Sequence, residues 1–249
     1  MKIKLIIEYD GTNYSGWQRQ NNAVSIQSTI EEAIEKATGQ KVAIHGAGRT
    51  DAGVHAVGQC AHFEIDSKIP AEKFSYVLNL VLPADIRIKN SVKVLDSFHA
   101  RYDAVGKHYR YAIYQGKHDT ALYRNIMAHV RGPLCIEDMK AAAKYLEGTH
   151  DFAAFHASGT SVQNTVRTIS KLSVEKYEND ILIDVIGTGF LYNMVRIIAG
   201  TLIEIGRGRR DIESVREALQ SGDRRKAGVT APAKGLTLMS VFYDKLGQR

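Results

Sequence analysis

The sequence predicts an α+β fold of two similar halves, in which strands of antiparallel sheets are mixed with helices. The chain has 249 residues, which is more than one average domain. Short segments of polar–apolar alternation recur between segments with helical spacing, and this order is met in both halves. Hydrophobic residues make up 44% of the chain and charged residues 24%, with only 4 prolines, which excludes a disordered or fibrous protein.

The first half, residues 1–100, is predicted to run strand, helix, strand, strand, helix, strand. The first helix follows from the helical spacing between Ile26 and Ala37. Ser28 and Glu31 form a capping-box pattern at its start, and Gly39 indicates its end. The remaining elements are strands at 2–9, 41–45, 59–65 and 85–94 and a helix from Pro70 to Leu80.

The second half, residues 101–249, has a similar pattern. It predicts a strand at 107–114, a helix at 136–147, a hairpin of 165–177 with 180–186, helices at 190–205 and 212–220, and a closing strand at 236–243. Each half thus has the split strand–helix–strand character of a ferredoxin-like unit. Because no Pro- or Ser-rich linker separates the halves, a single continuous sheet is the alternative.

The net charge and the cysteines indicate which kind of partner and which cellular compartment to expect. Lys and Arg number 33 against 27 Asp and Glu, and the net charge of +6 favours a polyanionic partner. Cys60 and Cys135 are far apart, which excludes a disulfide framework and a CxxC metal site. The first apolar run has three residues, and no run approaches the length of a membrane span. We therefore expect a soluble cytoplasmic protein that has no membrane partner.

Basic and aromatic residues are interleaved between Arg101 and Lys117, where four basic residues and four tyrosines accompany one acid, Asp103. Single-stranded RNA favours this composition, because its bases stack on aromatic rings while cations neutralise its phosphates. A solvated strand whose tyrosines pack inward is the alternative. A second basic cluster follows the apolar helix and contains Arg207, Arg209 and Arg210.

The most unusual stretch is GAGRTDAGVH at 46–55. It lacks the third glycine of a dinucleotide fingerprint, since Asp51 stands at that position, and it lacks the Gly-Lys-Ser/Thr of a Walker A loop. An ionised aspartate on a loop can act as a general base or as a covalent nucleophile. The alternative is that Asp51 only forms a turn with its neighbouring glycine.

Two further candidates concern a metal and a buried charge. Asp51, His55, Cys60 and His62 lie close together in sequence, but their spacing matches no zinc pattern, so we expect no metal site. Arg196 stands in the apolar helix 190–205. Its guanidinium either reaches solvent or pairs with an anion, for which Asp51 is a candidate.

Four motifs together resemble one family. They are YDGTNYSGWQRQ (9–20), GAGRTDAGVHAVGQ (46–59), FHARYDA (98–104) followed by KHYRY (107–111), and FLYNMVRIIAGTLIEIG (190–206). In this order they resemble the tRNA pseudouridine synthase A (TruA) family. The resemblance implies two α+β halves around a central basic cleft, usually in a homodimer. It also implies isomerisation of uridine to pseudouridine at positions 38, 39 and 40 of the tRNA anticodon stem-loop, with no metal or nucleotide cofactor.

The resemblance assigns roles residue by residue. Asp51 matches the nucleophile, Tyr109 the tyrosine that packs against the target uracil, and Arg196 the basic partner of the aspartate. Residues expected to line the cleft or to bind the RNA backbone are Trp17, Gln18, Arg19, Arg49, Lys107, Arg207, Arg209 and Arg210.

Two other classes of function stay open at this point. A non-catalytic RNA-binding protein or RNA chaperone would use the same basic and aromatic surface, and would not need Asp51. A nucleotide-binding enzyme would use the GAGRTDAG loop, although the missing glycine and the missing Walker lysine count against it.

Overall fold

The computed structural model describes residues 1–157 and 163–244, and the chain divides into two compact units. One unit contains Met1–Val105 and Leu238–Arg249, and the other contains Gly106–Thr237. Helices and mostly antiparallel strands are mixed in both units. The predicted α+β class is therefore confirmed.

The first unit is built on strand β1 (Lys2–Tyr9), which lies between two antiparallel neighbours. The other elements are α1 (Ile26–Thr38), β2 (His45–Gly46), β3 (His55–Glu64), a 3₁₀ turn at Ala71–Lys73, α2 (Phe74–Asn79) and β4 (Ile86–Val94). The strand order is β4-β1-β3, followed by β10 (Leu236–Phe242). Ile3, Leu5 and Ile7 alternate along β1 and are fully buried, so this face of β1 forms part of the core.

Helix α1 begins one turn earlier than its predicted capping box implies. Ser25 is the N-cap, and its hydroxyl oxygen accepts a hydrogen bond from the backbone N–H of Ser28. The hydroxyl oxygen of Ser28 accepts in turn from the backbone N–H of Ser25. The predicted box of Ser28 with Glu31 is wrong, because the Glu31 side chain turns inward. Its carboxylate accepts a hydrogen bond from the backbone N–H of Ile44 at 2.9 Å and is only 6% exposed. Gly39 ends the helix in the left-handed conformation, as predicted.

The same contact explains why the strand predicted at 41–45 is wrong. Only the two residues of β2, His45 and Gly46, pair with β3. The N–H of Ile44 is bound to a carboxylate instead of a neighbouring strand. Because the apolar Ile44 side chain is buried without a ladder, its alternation imitates a strand.

The second unit carries a sheet in the order β5-β9-β8-β7. Its elements are β5 (Gly106–Tyr114), β6 (Ala128–His129), α3 (Ile136–Lys144), β7 (Gly148–Asp151), a 3₁₀ turn at Ala153–Phe155, β8 (Val166–Tyr177), β9 (Asp180–Gly187), α4 (Met194–Gly206) and α5 (Ser214–Ser221). The predicted hairpin of β8 and β9 is confirmed. The short strands β6 and β7 are not foreseen by the sequence pattern.

Helix α4 is the most buried helix of the second unit, and it begins four residues later than predicted. Asn193, its N-cap, has φ 59° and ψ 5°. This left-handed residue separates the preceding loop from the helix. All of its thirteen residues except Arg196 and Glu204 are buried. Both of these charged residues therefore need partners beside the helix.

Segment 226–232, called the strap below, packs closely against α4. A Cβ on Gly200 would stand 1.8 Å from the carbonyl oxygen of Val229, and one on Gly228 would stand 2.6 Å from Cα of Thr201. The N–H of Gly228 donates to Oγ1 of Thr201 at 2.8 Å. These glycines therefore allow the strap and the helix to approach at backbone distance.

Among the helices of residues 1–157 and 163–244, none has the length and apolar character that a membrane crossing requires.

Candidate active site

Asp51 lies in the loop between β2 and β3, and the backbone on both sides of it is anchored to the core of the first unit. Oγ1 of Thr50 and the hydroxyl of Tyr9 are 2.8 Å apart in a buried hydrogen bond. Burial raises the pKa of Tyr9 to about 12, so the hydroxyl stays protonated at neutral pH. The N–H of Val54 donates to the carbonyl of Asp51 and closes the turn.

A second loop, residues 10–17, supports the Asp51 loop from its other side. The N–H of Trp17 donates to the carbonyl of Thr50 at 3.0 Å. Gly16 has φ 91°, and a Cβ there would lie 2.5 Å from the same carbonyl. Asp51 itself is half-buried. The loop therefore presents one carboxylate on a backbone that is fixed at Thr50 and at Val54.

Trp17 contributes to this support from inside the protein. It is 2% exposed, lies against Gly46 and packs on the ring of Tyr9 at a centroid distance of 6.2 Å. The family resemblance predicts that Trp17 lines the cleft. The structure places it beneath the Asp51 loop, where it acts through packing.

The three polar residues predicted beside it form one exposed group on the first unit. Nε of Arg49 donates to Oε1 of Gln18 at 3.1 Å, and the Arg19 guanidinium pairs with the carboxylate of Glu31. The partner of Arg49 is a neutral amide, so Arg49 keeps its positive charge. The charge of Arg19 is balanced by Glu31, which leaves Arg49 the stronger candidate for a phosphate contact.

His55 is a buried polar residue next to the same loop. Its Nδ1 accepts a hydrogen bond from the N–H of Gly11 at 3.0 Å and lies 3.1 Å from Oδ1 of Asp10. Burial alone would raise the pKa of Asp10, but hydrogen bonds from Thr12 and the nearby His55 lower it. His55 thus ties the loop that begins at Asp10 to the start of β3.

Tyr109 and Arg196 belong to the second unit. Tyr109 is on β5, 7% exposed, and meets the ring of Phe190 edge-on at 5.3 Å. Lys107 is two residues earlier on the same strand, so it shares the strand face of Tyr109. Its side chain is half-buried. Tyr111, the next residue on this face, donates its hydroxyl to the carbonyl of Pro232 in the strap.

Arg196 is in the first turn of α4, and its guanidinium is held by two neutral oxygens. Nη1 donates to Oδ1 of Asn193 at 2.8 Å, and Nε donates to the carbonyl of Ala231 at 2.8 Å. These two bonds orient the guanidinium. Arg196 is half-buried, and its guanidinium has both of these partners beside the helix.

Arg207, Arg209 and Arg210 lie after the last turn of α4. A helix of this length spans roughly 20 Å, so they are far from Arg196. Arg210 is turned inward and donates to Glu204 at 3.0 Å and to the carbonyl of Lys226. Arg209 is exposed, and Arg207 reaches the carbonyl of Arg131 at 3.3 Å. Arg209 is thus the member of this cluster most available to a partner.

The structure brings Trp17, Gln18, Arg19, Arg49 and Asp51 together in the first unit, and the second unit contains Tyr109 and Arg196. Sequence reasoning missed the residues that hold them, which are Tyr9, Thr50, His55, Tyr111, Asn193 and Ala231. The left-handed Asn193 had one sequence signal, because asparagine before an apolar helix is typical of an N-cap. Within residues 1–157 and 163–244 no group of three or more His, Cys, Asp and Glu side chains could hold a metal ion.

The chain matches known tRNA pseudouridine synthases over most of its length. A family model described as tRNA pseudouridine synthase matches residues 5–103 and 142–244. The chain is 54% identical over 243 residues to the tRNA pseudouridine synthase A of Ruminiclostridium cellulolyticum, covering 97% of this chain and 99% of that protein. It is 51% identical over 242 residues to the enzyme of the same name from Geotalea uraniireducens, with the same coverage of each chain.

Solved structures show only weak similarity. A structure of an H/ACA RNP bound to a substrate RNA containing 2′-deoxyuridine matches 95% of this chain and 47% of its own, at 14% identity and a TM-score of 0.39. The family model and the relatives decide the assignment without it: the chain belongs to the tRNA pseudouridine synthase family.

Proposed function

We propose that this protein isomerises uridine to pseudouridine at positions 38, 39 and 40 of the tRNA anticodon stem-loop, with Asp51 as the nucleophile and without a cofactor. Membership of the tRNA pseudouridine synthase family makes the chain an isomerase. The observation that carries the finer proposal is the Asp51 loop. Its single carboxylate stands on a backbone that Tyr9 and Trp17 fix through Thr50.

The isomerisation balances without an outside reactant. The bond between N1 of the uracil and C1′ of the ribose breaks, the uracil turns, and a bond from C5 to C1′ forms. C5 loses its proton and N1 gains one, so no redox partner, energy donor or water is consumed. Asp51 supplies a temporary covalent bond, either at the uracil ring or at C1′, and is released unchanged.

Tyr109 and Arg196 complete the chemistry in this proposal. The target uridine must leave its stack before a carboxylate can reach it, and an aromatic ring then holds the displaced base. Tyr109 is buried and backed edge-on by Phe190, which keeps its ring in one orientation. The positive charge of Arg196 would favour the ionised form of Asp51, which is the form that attacks.

Binding of the tRNA is proposed to rest on phosphate contacts from Arg49, Lys107 and Arg209, with weaker support from the remaining basic residues, Arg19, Arg207 and Arg210. Such contacts read the shape of the RNA and not its sequence, and they weaken as salt rises. We also propose a homodimer, which the resemblance supports and light scattering of the purified protein would check. A cytoplasmic location is proposed from the composition of the sequence, and fractionation of cells would check it.

The test is release of tritium from tRNA transcripts that carry [5-³H]uridine, in buffer with EDTA and no cofactor. Transcripts with uridine at only one of positions 38, 39 and 40 give the sites. Asp51→Asn is compared with Asp66→Asn, an exposed aspartate of the same unit. We expect release by the wild type and the Asp66 variant, none by the Asp51 variant, and tRNA affinity of all three within about threefold, since phosphates dominate binding.

Tight tRNA binding without tritium release by the wild type would instead favour the RNA-binding protein. Loss of tRNA binding in Asp51→Asn, with turnover of bound RNA intact, would make Asp51 a residue of the turn.

A further inference from the structure

Asn193 occupies a helix N-cap position but does not cap the helix. N-cap asparagines ordinarily have an extended backbone, and their side-chain oxygen accepts from the first free N–H groups of the helix. Asn193 is instead left-handed, and its side chain makes no such capping bond. Its Oδ1 accepts from Nη1 of Arg196 at 2.8 Å. The side-chain oxygen of Asn193 therefore accepts from the Arg196 guanidinium and not from the N–H groups of the helix.

The strap supplies the second acceptor and is itself held in place. Nε of Arg196 donates to the carbonyl of Ala231 at 2.8 Å, and the N–H of Ala231 returns a bond to the carbonyl of Arg196 at 3.1 Å. Gly200 and Gly228 allow the strap to lie directly on the helix. The position of the Ala231 oxygen is therefore set by backbone packing.

The other charged residue of α4 binds the strap as well. Oε1 of Glu204 accepts from the N–H of Val229 at 3.3 Å, and Oε2 accepts from Arg210, which reaches on to the carbonyl of Lys226. Arg224 donates to the carbonyl of Gly228 at 2.8 Å. The strap is thus anchored along its length, and its contact with Arg196 lies at the end nearest the helix start.

From these contacts we propose that Asn193, together with the strap carbonyl of Ala231, is a positioning residue that fixes the plane of the Arg196 guanidinium for its action on the catalytic carboxylate. Two bonds from different nitrogens of a rigid planar group determine its orientation. Both acceptors are neutral oxygens, so their contribution is to the orientation of the guanidinium. The proposal rests on the proposed function and adds the residue that orients Arg196.

The experiment uses Asn193→Gly, because glycine adopts the left-handed backbone readily while the side chain that holds Arg196 is removed. Glu178→Gly is the matched control, since Glu178 is also left-handed, with φ 52°, and lies in the hairpin turn between β8 and β9. Both variants lose a side chain at a positive φ, and only one of them touches Arg196.

We expect Asn193→Gly to lower kcat about 10- to 100-fold, as a small misplacement of a catalytic group does, and to leave KM within about twofold. The acid limb of the kcat profile should move to higher pH, because a less ordered guanidinium holds the carboxylate ionised less firmly. In an Arg196→Met background the same change should lower kcat no further. Wild-type kcat in Asn193→Gly, or an additional tenfold loss in the double variant, would overturn the proposal.

A second readout needs no RNA and separates this inference from the proposed function. The side-chain Nη1–H signal of Arg196 in the ¹H–¹⁵N spectrum, which reports the bond to Asn193 and is assigned by its absence in Arg196→Met, should be sharp in the wild type and in Glu178→Gly. In Asn193→Gly it should broaden or exchange faster with water. An unchanged signal would overturn the anchoring, whatever the tritium assay gives.

Discussion

The indole of Trp17 lies directly on Gly46, and a Cβ at Gly46 would be 2.5 Å from Cε2 of the ring. Gly46 pairs with β3 and opens the Asp51 loop, so this contact sets how closely the loop can approach the core. The backbone of Gly46 is not left-handed, so its conformation does not require glycine. Glycine is needed because a Cβ would overlap with the indole.

Gly46→Ala should therefore destabilise the protein by about 1–3 kcal/mol, because the buried indole must move. Urea unfolding followed by the fluorescence of Trp17, the one tryptophan of the sequence, measures this change. Gly189→Ala is the control, since the nearest atom to its Cβ would be 3.9 Å away. Equal stability of the two variants would contradict the packing of Trp17 on Gly46.

Thr50→Val keeps the shape of the side chain and removes the hydroxyl that meets Tyr9. The buried phenol then loses its bond to Thr50 and keeps its contact with Gln59, which should cost about 1–2 kcal/mol of unfolding free energy. Because Asp51 follows directly, kcat for tritium release should fall as well. Thr50→Ser retains the hydroxyl and should keep most of the unfolding free energy and most of kcat. A Val variant as active and as stable as the Ser variant would show that this bond does not hold the loop.

Arg196→Met should reduce both stability and turnover. The oxygens of Asn193 and Ala231 lose their donors, which costs about 1–3 kcal/mol in urea unfolding. Arg209→Met, in an exposed residue beyond the same helix, should unfold as the wild type does. Wild-type turnover by Arg196→Met would remove Arg196 from the mechanism.

His62 should make the protein sensitive to acid. Burial, together with the neighbouring His99, His45 and Lys2, lowers the pKa of His62 to about 4. The ordinary histidine pKa is about 6.5, so between pH 6.5 and 4 the unfolded chain binds a proton at His62 that the folded protein does not bind. Folding stability should therefore fall as pH drops from about 6.5 towards 4, by roughly 1–3 kcal/mol.

The variant His62→Asn keeps an acceptor for the N–H of Ala100, which Nδ1 of His62 binds at 3.1 Å. Its Tm should depend less on pH over this interval than the Tm of the wild type. His118→Asn, which changes an exposed histidine, should leave the wild-type dependence in place. Parallel curves for all three proteins would assign the acid sensitivity to other groups.

Local patterns predicted most of the elements. Alternation gave β1, β4, β5 and the β8–β9 hairpin nearly to the residue. The failures come from contacts between distant segments. The carboxylate of Glu31 accepts a hydrogen bond from the N–H of Ile44, which would pair with a neighbouring strand if 41–45 were a strand. The spacing of apolar residues does not reveal such a bond. The assignment of β10 to the first unit from Leu238 onward likewise depends on long-range pairing.

The candidate site divides in the same way. Asp51 and Arg196 could be singled out because a carboxylate in a glycine-rich loop and a guanidinium in an apolar helix are unusual in themselves. Tyr9, Thr50 and Ala231 are ordinary residues in their own segments. Their importance arises only when folding brings β1 to the loop and the strap to α4.

The anchoring of Thr50 to Tyr9 also has a consequence for the motions of the loop. Tyr9 is 2% exposed and pairs with both neighbours of β1, so it cannot move away without separation of the sheet. The Asp51 loop therefore cannot open as an independent lid, and its slowest amide protons should exchange with solvent on the timescale of β1 itself. A substrate therefore has to reach Asp51 without a movement of this loop away from β1.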